Sequence, residues 1–115
     1  MSLLSINEQS TSDLCVKHCL ECFEHLTRAV QYCLEKEGEY LNGDLLKLFF
    51  EGIDLCRVSS TLLLSHSDLA LEHGQITAKV CDMCAKSCYS FDDDFLNSVG
   101  NICSETAESC RQLAH

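Results

Sequence analysis

"VCDMCAKSC", residues 80–88, places cysteines at 81, 84 and 88. Intervals of three and four residues are the return period of one helix face, so these three thiols line up side by side if the stretch is helical. Cys-x-x-Cys by itself also suggests zinc or thiol–disulfide chemistry, but a third thiol four residues on fits neither pattern neatly. The rest of the chain favours the helix. Its 115 residues contain no proline, five glycines and 46% hydrophobic side chains. Long uninterrupted helices around one self-sufficient core are the expected outcome.

Turn and cap residues divide the chain into four such helices. Ser12 or Thr11 is the expected N-cap of a first helix to about Lys36, with Gly38 just beyond its end. That leaves residues 1–11 as a flexible N-terminus and 12–115 as a single domain. Asp44 is positioned to cap a second helix to about Leu64, and Ser67 a third to about Tyr89. The aspartates of "SFDDD" suit the positive end of a fourth helix reaching about Leu113. Four amphipathic helices with short connections make an all-α, antiparallel up-down four-helix bundle.

At about 100° per residue the cysteines of each helix fall on one face. Cys15, Cys19, Cys22 and Cys33 share a stripe of the first helix, and Cys81, Cys84 and Cys88 share one of the third. Cys103 and Cys110 are a heptad apart on the fourth, and Cys56 sits in the inner stripe of the second. Taking about 1.5 Å per residue along alternating helices, Cys15, Cys110 and Cys19 lie lowest, within roughly 10 Å of the start. Cys22 and Cys56 follow near 15 Å, then Cys103, Cys81 and Cys84 up to about 26 Å, with Cys33 and Cys88 near 31 Å. The ten thiols form a ladder up the core.

Charge and composition narrow the function. Eighteen acidic against eight basic residues give a net charge of −10, which repels phosphate backbones and anionic lipid; neither nucleic acid nor a membrane is an expected partner. The amino terminus lacks the marks of an export signal, which points to the cytoplasm. Disulfides are not expected there, and thiols three or four apart on one helix have poor bridging geometry. Ten thiols on inner stripes suit a soft metal: Cu(I), zinc or an iron–sulfur cluster. Cys22, Cys56, Cys81 and Cys103 come from four helices at similar heights and would suit one zinc or one cluster. That site would leave six aligned thiols idle and bury two net negative charges per four-thiolate zinc. Cu(I) pairs one-to-one with thiolate, so several ions leave the core neutral. The expected ligands are therefore all ten cysteines and the expected cargo is several Cu(I) ions, with a redox or single-cluster bundle as the alternative.

"CVKHCLEC" at 15–22 and "CDMCAKSC" at 81–88, together with the four-helix length plan, resemble the four-helix-bundle copper-binding proteins that include the bacterial copper storage proteins. The resemblance spans essentially the whole chain. It implies a tube of inward cysteines holding many Cu(I) ions, homo-oligomeric assembly, exchange with copper donors or acceptors, and the cytosolic branch of the family. This chain has fewer thiols than the better-known members. Thr106 and Ala107 stand where another cysteine would continue the pattern, and the second helix offers only Cys56, so a lower capacity is implied. His18 and His25 flank the first stripe and His66 lies in the turn at the Cys15 end, where each is a candidate additional ligand or way in for metal. Met83 points away from the thiols. No Ser–His–Asp order, phosphate loop or paired carboxylates stand out, and ten equivalent thiols argue against one special nucleophile, so the chain is not read as an enzyme.

Overall fold

The computed structural model describes residues 3–114, with side chains from Thr11 onward. Four helices follow one another: α1 (Leu3–Lys36), α2 (Gly43–Leu64), α3 (Ala70–Tyr89) and α4 (Asp94–Gln112), with a short 3-10 turn, Gly38–Tyr40, between the first two. Each packs against its neighbours in the chain, and α1 closes the ring against α4. This is the expected antiparallel bundle, drawn out to 54 × 21 × 18 Å. No helix among the described residues is long and apolar enough to cross a membrane.

Three helix starts differ from expectation. Helix α1 begins at Leu3, so Thr11 and Ser12 lie inside it rather than capping it. Residues 3–11 hold neither glycine nor proline, and an interior serine or threonine costs only about 0.5 kcal/mol, too little to stop a helix. Residues 1 and 2 of the foreseen flexible segment lie outside the described residues. Helix α2 is capped by Asn42, not Asp44. The Asn42 backbone is extended, and its Oδ1 accepts the N–H groups of Asp44 (2.9 Å) and Leu45 (3.2 Å). Asp44 sits in the first turn, where its charge complements the helix dipole. Ser67 acts just ahead of α3: its Oγ accepts the Leu69 N–H, and Leu69 occupies the N-cap without a side-chain bond. Helix α4 starts as foreseen, with Asp93 accepting the Leu96 N–H at 2.9 Å.

The core holds the ten cysteines with Leu26, Phe49, Leu96, Val99 and several alanines, all at or near zero exposure. Small side chains let the helices approach closely, and Gly52 marks the tightest point of α2. A Cβ there would lie 2.7 Å from Leu26 Cδ1 and 3.1 Å from Cys84 Sγ, two fully buried groups. Alanine gains about 1 kcal/mol of helix propensity over glycine, while overpacking costs about 1–3 kcal/mol. Gly52→Ala should therefore lose roughly 1 kcal/mol, seen as a lower urea midpoint with an unchanged slope. A midpoint equal to wild type or above it would mean that Leu26 moves aside freely.

Candidate metal centre

All ten cysteines are free and none is exposed. Helix α1 supplies Cys15, Cys19, Cys22 and Cys33, α2 Cys56, α3 Cys81, Cys84 and Cys88, and α4 Cys103 and Cys110. At the lower end Cys110 lies 3.6 Å from Cys15 and 3.9 Å from Cys19. Midway, Cys81 is 3.8 Å from Cys56 and 4.0 Å from Cys22, and Cys22 is 3.8 Å from Cys103. Cys56 also faces Cys19, joining the two groups, and Cys103 also faces Cys84. Eight thiols thus follow one another from Cys15 to Cys84, in the vertical order that helix rise predicts.

Two sets have sulfurs mutually within 4.8 Å: Cys15, Cys19 and Cys110, and Cys22, Cys56 and Cys81. A zinc–sulfur bond of about 2.3 Å gives a tetrahedron edge near 3.8 Å, so separations alone do not distinguish zinc from copper. Cys103 approaches Cys22 but does not join the mutually close set.

Cys33 and Cys88 stand apart at the upper end, beside an aromatic plug. The Tyr32 and Tyr40 hydroxyls both donate to Asp93 Oδ2, at 2.5 and 3.1 Å. Tyr40 stacks on Phe91, and Tyr32 packs on Phe95. The hydrogen bond to Asp93 holds the Tyr32 phenol up at about 12. Asp93 therefore ties α1, the 3-10 turn and the start of α4 together over the last thiols. Sequence reasoning saw Asp93 only as part of an acidic helix start, because nothing local in the chain links it to Tyr32 or Tyr40.

The surroundings set the thiol acidities. Burial, with Cys84 and Cys33 nearby, pushes Cys88 up to about 12. Burial and then Asp93 raise Cys33. Cys56, Cys103 and Cys110 are raised by hydrogen bonding with neighbouring thiols, and then by burial. Cys19 and Cys22 move down. Contacts with Cys110, Cys15 and Cys56 lower Cys19, and contacts with Cys103, Cys56 and Cys81 lower Cys22, so each of these two positions is surrounded by three other thiols.

The candidate histidines are not brought to the thiols. His18 Nδ1 bonds to Ser109 Oγ, and His25 Nδ1 donates to the Glu21 carbonyl at 2.8 Å. His66 is exposed in the α2–α3 turn with φ 56°. His73, unremarkable in sequence, belongs to a polar group with Ser59 (2.7 Å) whose hydroxyl also contacts Thr77 at 2.8 Å. The spacing of Ser59 and Thr77 on the inner stripes was the available signal. Met83 is exposed, as its position opposite the thiols required.

Solved structures share this architecture closely. The chain superimposes on a Cu(I)-bound copper storage protein, BsCsp3, with a TM-score of 0.86 and 24% identity, over 91% of this chain and 99% of that one. It matches the apo form of copper storage protein 3 from Bacillus subtilis at 0.83 and 27%, over 90% and 99%. The Nmul_A1745 protein from Nitrosospira multiformis gives 0.86 and 30%, over 91% and 95%. No curated protein matches the chain. The family model for copper storage proteins matches residues 8–115, nearly the full length that carries the buried thiols. The chain belongs to the copper storage protein family.

Proposed function

We propose that this protein stores several Cu(I) ions on the cysteine thiolates of its core, acting in the cytoplasm as an assembly of copies that exchanges copper with donor and acceptor proteins. The observation carrying this reading is the continuous succession of eight thiols from Cys15 to Cys84, supplied by all four helices. Thiolate is the soft donor that Cu(I) prefers, and a reducing compartment keeps ten thiols available. Each ion displaces one proton, so a core filled one-to-one remains neutral and avoids the cost of buried charge. Cys19 and Cys22, each surrounded by three thiols, take the first ions, and loading spreads from them through shared thiolates. Cys33 and Cys88 fill last. With ten thiols the capacity approaches ten ions per chain.

Anaerobic Cu(I) titration of the fully reduced protein, with metal and reagent-accessible thiols counted together, tests this. Protection should grow with every ion until nearly all ten thiols are covered. A single zinc site or iron–sulfur cluster would instead protect about four thiols and leave the rest reactive. Saturation at one or two ions would sink the storage reading.

A further inference from the structure

Copper binding displaces protons, and the core gives them few ways out. All ten thiols are at 0% exposure, and the upper end is closed by the tyrosine–Asp93 plug. The seam between α2 and α3 is different, because a chain of polar side chains crosses it. His73 of α3 is half-buried, and its Nδ1 lies 2.7 Å from Ser59 Oγ and 3.3 Å from Thr77 Oγ1. The two hydroxyls are 2.8 Å apart and buried, Ser59 at 1% and Thr77 at 0% exposure. A helical serine can satisfy its hydroxyl on the carbonyl four residues back, as Ser60 does on Cys56 at 2.8 Å. Ser59, its neighbour, instead turns its hydroxyl to the ring and to Thr77.

Both ends of this chain lead somewhere. On the outside, His73 lines a groove of about 370 Å³ with Val58, Leu62 and Ile76. Among the described residues its Nε2 has no hydrogen-bond partner. On the inside, Thr77 lies one turn below Cys81 on the inner face of α3, and Ser59 one turn below Cys56 on that of α2. The Cys56 and Cys81 sulfurs are 3.8 Å apart. Cys19 of α1, which faces Cys56, is the core group whose charge reaches His73, and Glu72 is the charged residue on the groove side.

We propose, on the storage reading above, that Thr77, Ser59 and His73 form a proton exit, carrying to the α2–α3 groove the protons that Cu(I) displaces from the thiols around Cys19, Cys56 and Cys81. For each ion an S–H bond breaks as a Cu–S bond forms; Cu(I) leaves its donor with its oxidation state unchanged. The thiol proton goes to the hydroxyl pair, a hydroxyl proton passes to His73 Nδ1, and Nε2 gives up its proton to water in the groove. Rotation of the hydroxyls and exchange of the ring tautomer through that water restore the starting arrangement.

Anaerobic stopped-flow mixing of reduced protein with the Cu(I) bicinchoninate complex gives the loading rate from the loss of that complex's colour, and the end point gives the ion count. His73→Ala and Ser59→Ala should each load about tenfold more slowly or worse, the direction expected on removing a positioned proton carrier. Both should reach the wild-type ion count with unchanged helical circular dichroism, since Thr77 keeps the His73 and Leu55 carbonyls as partners. Millimolar imidazole, entering the groove that the missing ring enlarges, should restore the rate of His73→Ala. It should leave wild type and Ser59→Ala unchanged, because in Ser59→Ala the break lies inside the wall. A wild-type rate in either variant, or a slow His73→Ala that imidazole does not restore, would overturn the exit. Equal acceleration of all three proteins would trace to copper exchange by imidazole itself and would overturn it as well. A wild-type ion count of one or two removes the storage reading and the exit with it, and shows at the end point rather than in the rate.

Discussion

Replacing Phe49 by alanine is expected to cost the apo protein about 3–5 kcal/mol, the largest loss from any single core truncation in this chain. Phe49 is fully buried and heads the largest buried side chains. The buried residues one turn away on its own helix are Leu45, Gly52 and Ile53, and the glycine has no side chain to move into the space Phe49 leaves. The part of the cavity that Leu45 and Ile53 do not fill sets where in that range the cost falls. A domain of this size has about 5–15 kcal/mol in total, so the variant keeps its fold but loses much of its margin. Its melting temperature should fall by at least about 12 °C. Copper reverses most of the loss, because ions bound only to the folded state add stability by mass action. Calorimetry of apo and Cu(I)-loaded Phe49→Ala checks both halves. A drop of less than about 5 °C in the apo form would mean that the thiol-lined core collapses around the gap.

What could be read in advance follows from what helix geometry determines. Spacings of three, four and seven determine a face, and all ten cysteines assigned to inner faces are fully buried. Rise per residue determines height, and the Cys15–Cys110, Cys22–Cys56–Cys81 and Cys22–Cys103 neighbourhoods follow the predicted order. Neither quantity determines how far one helix is rotated or offset against the next. For that reason Cys103 looked like the fourth corner of a closed layer, whereas it meets only one of the other three thiols at close range. Cys56, the one cysteine of the second helix, faces Cys19, Cys22 and Cys81 and so joins the lower and middle groups. The helix starts failed for a different reason. A cap residue is needed only where a helix must stop, and with no glycine or proline before Ser12 nothing made it stop. The Asp93–Tyr32–Tyr40 plug depends on contacts across more than fifty residues, which no local pattern encodes.

The apo bundle is expected to unfold cooperatively as pH rises from about 9 toward 12, while the copper-loaded bundle stays folded. The ordinary thiol value is 9.0, and in the folded protein Cys15 and Cys88 are pushed up to about 12, with Cys33 also raised. Burial, together with the other thiols nearby, raises Cys88. At Cys15 the contact with Cys110 pulls the value down, and Cys19 and burial outweigh it. A thiol whose value is higher in the fold binds its proton more tightly there than in the unfolded chain. Its contribution is therefore complete below pH 9 and is lost as the pH climbs through the folded value. Cys15 and Cys88 carry most of this dependence, Cys33 adds to it in the same direction, and the lowered Cys19 and Cys22 oppose it. Copper removes this dependence. Once the thiols are metal-bound they are already thiolates, no proton remains to be lost, and alkali has nothing to titrate in the core. Circular dichroism under anaerobic, reducing conditions should show the apo helices melting in this window and the loaded ones unchanged. Cys88→Ala provides the internal control, since removing one raised thiol should flatten the alkaline loss of the apo form. An apo bundle as stable at pH 11 as at pH 7, or a Cys88→Ala variant with the wild-type slope, would show that the core thiols do not hold their protons in the way their burial requires.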